Sequence, residues 1–399
     1  MAQFIVSLIT IVVALQVILL SCAYLIFLER KVAAWVQNRI GPNRTNFSFG
    51  LLPFKGDHFG LGQALADGLK LFFKEDYSPP NVERTLFLLA PVAAVVPAML
   101  AWAVIPWGGD LAWGDQVLKV SAAPINIGVI YILAMGSLAV YGVVLGGYAS
   151  NNKYSFLGGL RATAQMLSYE IPMGLCVLIM ILAFATMRAD WIVHLQSGEG
   201  GWGIFLHPLL AVIFFACVLA ECNRAPFDLA EAEQELVGGF HTEYASMKWA
   251  LFFLGEYMHM ISGSGFFCIL FLGGWDLVPF VEVLPIVGGV GLVLLKAAIF
   301  VVKVALLLFV MMWVRWTLPR FRFDQLMRLA WRGLIPFCLA VLLASSFLTY
   351  FKAPAWTYPL ADLIVGLGAA IIIPLVPVGA PVNRKVPLPG SRFNPPRTV

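Results

Sequence analysis

The sequence predicts an all-α polytopic membrane protein, with an amphipathic surface helix in its first inner loop. Three observations predict it. Of 399 residues, 60% are apolar and only 12% are charged, about half the charged share of a soluble domain. The apolar residues gather into segments near the ~20 residues that cross roughly 30 Å of hydrocarbon. The basic residues alternate from loop to loop, as a topology requires. The same composition excludes a disordered chain, a nucleic-acid binder and an ordinary cytosolic enzyme.

In chain order the apolar segments are 4–28, 85–105, 125–147, 162–187, 208–220, 248–272, 289–314, 334–350 and 357–376. The first starts without Lys or Arg, is too long for a signal core, and ends at Glu29-Arg30-Lys31, so a retained helix is expected. Segment 208–220 is short and must borrow a turn from one flank. The ninth has Pro359, Pro374 and Pro377 crowding its ends. A lipid-exposed strand is excluded because its backbone groups would go unpaired.

The first, third, fifth and seventh loops and the tail carry nearly all of the 26 Lys and Arg residues. The alternate loops hold only Lys119, Arg188 and Lys352, and Lys296 and Lys303 lie inside the seventh segment. By the positive-inside rule the N-terminus is outside and the C-terminus inside, which requires the ninth crossing. Tryptophans near segment ends, such as Trp249, Trp275, Trp313, Trp316 and Trp356, fit an interfacial belt. Within the first loop, Leu61, Leu65, Leu69 and Phe72 share one helical face and Gln63, Asp67, Lys70 and Lys74 the other. That helix, over 60–74, lies on the membrane surface, on a partner subunit, or on both.

The chemistry-bearing signal is carboxylate placement. Glu170 lies eight residues into the fourth segment, about 12 Å along a helix. Glu256 lies at similar depth in the sixth. Each costs roughly 2.5–3.5 kcal/mol at mid-helix, so a hydrated interior or a partner is expected. Lys296 and Lys303 share a helical face and are candidate counter-charges, unless Lys296 merely snorkels outward. The loop AECNRAPFDLAEAEQELVGGFHTEYASMK sets Glu221, Asp228, Glu231, Glu233, Glu235 and Glu243 against Arg224 and Lys248. Clustered acids in a low dielectric titrate as a coupled set suited to relaying protons, and His241 is positioned to join them. A solvated acidic face is the plainer alternative.

Other chemistries are not legible. The six cysteines show no C-x-x-C spacing and read as small buried hydrophobes rather than cluster or zinc ligands. No P-loop pattern occurs, the five histidines have no metal spacing, and no Ser/His/Asp set is visible.

Several blocks in order resemble a known family: ERKVAAWVQNRIGPNR at 29–44, LADGLKLFFKE at 65–75, SNNKYSFLGGLRATAQMLSYEIPMG at 150–174, AECNRAPFDLAEAEQELVGGFHTEY at 220–244, ALFFLGEY at 250–257 and LPRFRFDQLM at 318–327. They are similar to the quinone-proximal membrane subunit of respiratory complex I, called H in bacteria and subunit 1 in mitochondria. The resemblance implies eight tilted spans that form the lipid-side entrance and much of the wall of a quinone tunnel. It implies a proton-pumping NADH-quinone oxidoreductase in a bacterial inner membrane, with quinone as substrate and no catalytic residue, metal or redox cofactor on this chain. Partners would be peripheral-arm subunits carrying the headgroup site and terminal iron–sulfur cluster, and antiporter-like membrane subunits.

Carried over by position, the tunnel would be framed by 4–28, 60–74 and 248–272, with Glu29, Arg30, Arg39, Arg44 and Phe72 at it. The acidic relay would comprise Glu170, Glu221, Asp228, Glu231, Glu233, Glu235, Glu243 and Glu256. On this reading 1–350 is the tunnel and proton-coupling domain. Residues 351–399, with the extra span and basic tail, depart from the family's eight-span pattern. Alternatives are the equivalent subunit of a membrane-bound hydrogenase and a stand-alone proton-coupled transporter. The Gly/Pro-broken repeated halves that would favour the transporter are not seen.

Overall fold

A computed structural model describes residues 2–45, 60–114, 116–197, 201–229, 238–281 and 284–375, with side chains through 371. Glu231, Glu233, Glu235 and the basic tail lie outside the described residues.

A helix occurs at every predicted apolar segment. Among the described residues, six helices are long and apolar enough to cross a membrane. The first, α1 (Ala2–Val36), has 35 residues, about 50 Å of rise and more than a bilayer needs. It overshoots the expected end at 28 because Glu29, Lys31, Val32, Ala33 and Ala34 are all buried against the rest of the chain. The surface helix α2 (Gln63–Phe73) has no buried residue, and Leu65, Leu69 and Phe72 are exposed on its apolar face. Next come α3 (Arg84–Leu100), extended by a 3-10 turn to Val104, and α4 (Gly128–Ala149). These two approach closely at Gly142, where a Cβ would meet the Ala94 amide nitrogen at 2.5 Å.

The fourth apolar segment forms α5 (Lys153–Phe184), N-capped by Asn152, whose side chain accepts the Tyr154 amide. Capping of this kind satisfies a donor that the first helical turn leaves open. A short α6 (Ala189–Gln196) follows. The borrowed turn is α7 (Gly203–Leu206), upstream of α8 (Pro208–Glu221). Pro208 opens α8 at its first turn, where a missing N–H costs nothing.

Then come α9 (Ser246–Phe271), α10 (Val290–Thr317), and α11 (Phe323–Arg328), which runs through a π-helical turn into α12 (Ile335–Tyr350). The ninth segment is α13 (Thr357–Leu375), packed on α12 and α8. It is pinned by a fully buried His207–Asp362 pair at 3.0 Å, with Tyr358 set edge-on to the imidazole.

The centre of the bundle is α5, α8 and α9, where Phe214 meets Phe266, Phe267 and Phe271. Apolar residues face outward on the peripheral helices, for example Leu8 and Val12 on α1, Leu306 on α10, and Ile364 and Leu367 on α13. That is the surface a bilayer solvates. All six cysteines are buried, as small hydrophobes should be.

Two features depart from the sequence reading. Strands β1 (Asp110–Trp113) and β2 (Gln116–Lys119) form a hairpin, and β3 (Val287–Gly288) pairs parallel to β1. This small sheet lies in the loops opposite the acidic one, and Gln3 holds it through Lys119. Nearby, burial would push the Asp190 carboxyl up, but hydrogen bonds and charge from Arg188 and Lys119 hold it at about 2. The aromatic belt is also incomplete. Trp313 and Trp356 are exposed, but Trp102 and Trp275 are buried within the bundle.

Candidate functional site

A cavity of about 620 Å³ opens at the end of α1. Its walls combine α1 (Ile26, Glu29, Arg30, Ala33), the following turn (Arg39, Gly41, Pro42), Gln63 of α2, one face of α9 (Trp249, Phe253, Tyr257) and the end of α10 (Arg315, Trp316). The three elements expected to frame a tunnel therefore meet, joined by α10. Gly41 sits there at φ +74°, where a Cβ would come within 2.9 Å of Ala34; a side chain at that position would be strained as well as crowded. Arg30 pairs with Asp67 at 2.7 Å, and Gln63 donates to the same carboxylate, which ties α2 to α1. Of the expected tunnel residues, Glu29, Arg30 and Arg39 line the cavity. Arg44 and Phe72 are exposed outside it.

Glu29 is the electrostatic centre of this wall. It is 6% exposed. It accepts hydrogen bonds from Arg315 and from the Tyr257 hydroxyl, and Arg224 stands 3.5 Å from both of its oxygens. Arg224 stacks over the Tyr257 ring at 4.4 Å. Its other guanidinium nitrogen reaches Glu256 at 3.9 Å. One arginine thus touches a carboxylate on the cavity wall and one inside the bundle. A planar, permanently charged fork with donors on several sides suits such a bridge better than a lysine. The loop carrying it is held by Gln165 of α5, which donates to Ala220 O, Asn223 Oδ1 and Phe227 O.

Inward of Glu256 lie two much smaller cavities, about 20 Å³ each. One is lined by Glu256, Glu221, His259 and Asn223, the other by Glu221, His259, Gly136 and Ser262. Glu221 fits there because residue 136 is glycine: a Cβ would fall 2.7 Å from its carboxylate oxygen. Glu170 lies within electrostatic range of Glu221 and accepts a hydrogen bond from Ser137. No ion pair to Glu170 or Glu221 is found among the described residues.

The structure therefore brings Glu170, Glu221 and Glu256 together and adds Glu29 through Arg224. Asp228 is buried in the loop after α8. Glu243 stands apart, accepting from Asn152 Nδ2 at 2.6 Å. His241 packs edge-on to Phe240 at the inner end, with burial lowering its pKa to about 4.

The two lysines of α10 are not counter-charges to these acids. Lys296 donates to the carbonyls of Pro285 and Ile286 at 2.8 Å, and Lys303 to those of Leu272 and Asp276. Both cap the loop before α10, because backbone carbonyls freed at the α9 end lie closer than the acids. Sequence reasoning did not single out Arg224, Arg315, Tyr257 or His259 as site residues. Arg224 is the first base in an acidic loop, which was the one available signal. The rest depend on which helices touch.

Comparison with known proteins gives a consistent answer. Residues 9–346 match the NADH dehydrogenase family. The chain is 46% identical over 332 residues to the H subunit of the Rhodospirillum rubrum NADH-quinone oxidoreductase, covering 83% of this chain and 90% of the relative. It is 45% identical over 329 residues to the H subunit of the Protochlamydia amoebophila enzyme, covering 82% and 93%. It is 44% identical over 321 residues to the first H subunit of Cytophaga hutchinsonii, covering 80% and 90%.

Proposed function

The chain belongs to the family of H subunits of NADH-quinone oxidoreductases, and from that premise we propose that it admits the quinone and passes the effect of its reduction to buried carboxylates. It is an integral membrane subunit of that enzyme. The observation that carries the reading is Arg224, shared between Glu29 on the wide cavity and Glu256 on the buried one.

The wide cavity suits a quinone headgroup. At about 620 Å³ it is in the range of small-molecule sites. Trp249, Phe253, Tyr257 and Trp316 offer flat apolar walls, and Arg30, Arg39 and Arg315 offer donors to a ring carbonyl. Electrons come from the iron–sulfur terminus of peripheral-arm subunits; this chain supplies binding and electrostatics. Negative charge developing on the ring competes with Glu256 for Arg224. Glu256 then loses part of its counter-charge and draws a proton from its neighbours. Glu221 and Glu170, with no ion pair among the described residues, pass the demand along toward antiporter-like membrane subunits. Glu231, Glu233 and Glu235 join the relay on their sequence positions alone. The loop asymmetry supports an N-terminus outside and a C-terminus inside, and the bacterial relatives favour a bacterial inner membrane.

Photolysis of an azido-ubiquinone bound to the assembled enzyme in native membranes tests the cavity. Crosslinks should fall on Ile26–Ala33, Gln63 or Trp249–Tyr257 and disappear with excess ubiquinone. Labelling confined to outward faces such as Ile364 and Leu367 would overturn the assignment.

A further inference from the structure

The two 20 Å³ cavities share two titratable walls, Glu221 and His259. Each is roomy enough for a single water. His259 stands one helical turn after Glu256 on α9, so the two side chains share a face. Its Nε2 is buried and has no hydrogen-bond partner among the described residues. An imidazole nitrogen sealed in a membrane bundle without a partner is costly, so its placement between two acid-lined cavities needs a reason. The titratable groups facing it are Glu221 from the end of α8, Cys222 from the following loop and Glu256 from its own helix. Helices α3, α4 and α5 present apolar residues there, such as Ala101, Leu133 and Met173.

We propose that His259 is a proton-carrying member of the relay, exchanging protons with Glu256 and Glu221 through one water in each cavity. The inference rests on the relay reading above and adds a residue of a different chemical kind. Glu256, Glu221 and His259 all line one cavity with room for a single water, and Glu221 and His259 line the second. A neutral imidazole accepts a proton at one nitrogen and releases one from either nitrogen, so it can serve both neighbours. The step balances: Glu221 loses a proton, the ring becomes an imidazolium, and Glu256 gains the proton as the ring returns to neutral. Nothing is oxidised or reduced.

The test uses the assembled enzyme in inverted membrane vesicles, with His259→Gln and His259→Asn. NADH oxidation by added ubiquinone and proton uptake are followed across pH 6 to 8.5, and assembly is read on native gels. Proton uptake at pH 7 should fall roughly a hundred-fold, the lower end of what one acid–base group contributes. The pH profile should lose the limb contributed by a histidine. A merely structural residue would lower rates evenly at all pH values. Unchanged uptake and an unchanged profile in either assembled variant would overturn the inference. Glu170→Gln in the same vesicles separates the two readings. If it lowers pumping while the His259 variants do not, the relay stands and the histidine step falls. If neither lowers it, both fall. Should both His259 variants fail to assemble, infrared difference spectra of wild-type enzyme with ring-labelled histidine decide. A histidine protonation band on quinone reduction supports the step, and its absence overturns it.

Discussion

Glu29 and Glu221 are both buried carboxylates at the inner half of one bundle, and they are solved in opposite ways. Glu29 is gripped by Arg224, Arg315 and the Tyr257 hydroxyl. Glu221 lies against Gly136, near a second acid, with a histidine and two small cavities beside it. A carboxylate between two guanidiniums is a fixed charge. Its partners depend on it as much as it depends on them, and moving a proton onto it strands both. A carboxylate without a basic partner is free to gain or lose a proton at modest structural cost. The first kind can hold a wall and sense charge in the cavity. The second kind can carry protons. Arg224 belongs to both environments, which is why it can couple them.

The comparison is broken most directly at Glu29. Glu29→Gln keeps the shape and removes the charge, leaving two arginines buried against each other. Breaking such a pair typically costs about 3–5 kcal/mol. We expect loss of assembled complex on native gels and early thermal inactivation of what remains. Assembly at wild-type levels would mean that Glu29 is no more fixed than Glu221. Glu221→Gln should do the reverse. The amide fits the same space beside Gly136, so assembly persists. Proton uptake in vesicles should drop roughly a hundred-fold, equivalent to about 2.7 kcal/mol on the barrier. Full pumping in that variant would remove Glu221 from the relay.

These contrasts show what a single chain of letters can and cannot disclose. Apolar runs are local, so each of the nine segments could be marked, including α13 beyond the family's span. Helix ends were less visible. Nothing near residue 28 announces that Glu29 and Lys31 will be buried, because their partners sit on α8's loop, α9 and α10 or in the turn at Ile40. Acid clustering pointed at Glu170, Glu221 and Glu256 correctly as neighbours. It could not separate Glu243, which turns to Asn152. Lys296 and Lys303 misled for the same reason: charge spacing shows which face a side chain occupies, not which carbonyls wait there. The His207–Asp362 pin joins residues 155 apart, a separation that periodicity does not register.

The smallest expected effect sharpens the comparison where pH itself can be the probe. His241 lies outside the spans, close to the start of α9, and is half-buried beside Phe240 with no counter-charge among the described residues. Burial holds its pKa at about 4, against 6.5 for the free side chain. The unfolded or opened loop therefore binds a proton more readily than the closed one. Stability of this segment is fully present above about pH 6.5, the unfolded value. It declines as pH falls toward 4, by at most about 1.4 kcal/mol per pH unit, and levels off below. Amide hydrogen exchange over 238–245, corrected for intrinsic rates, should show more frequent opening at pH 5 than at pH 7.5. His241→Gln, which has nothing to titrate, should remove that difference while leaving the behaviour of Glu29 and Glu221 variants unchanged. Opening that ignores pH in the wild type would show that burial without a counter-charge does not govern titration even at the edge of this bundle, and the contrast drawn for its interior would lose its physical basis.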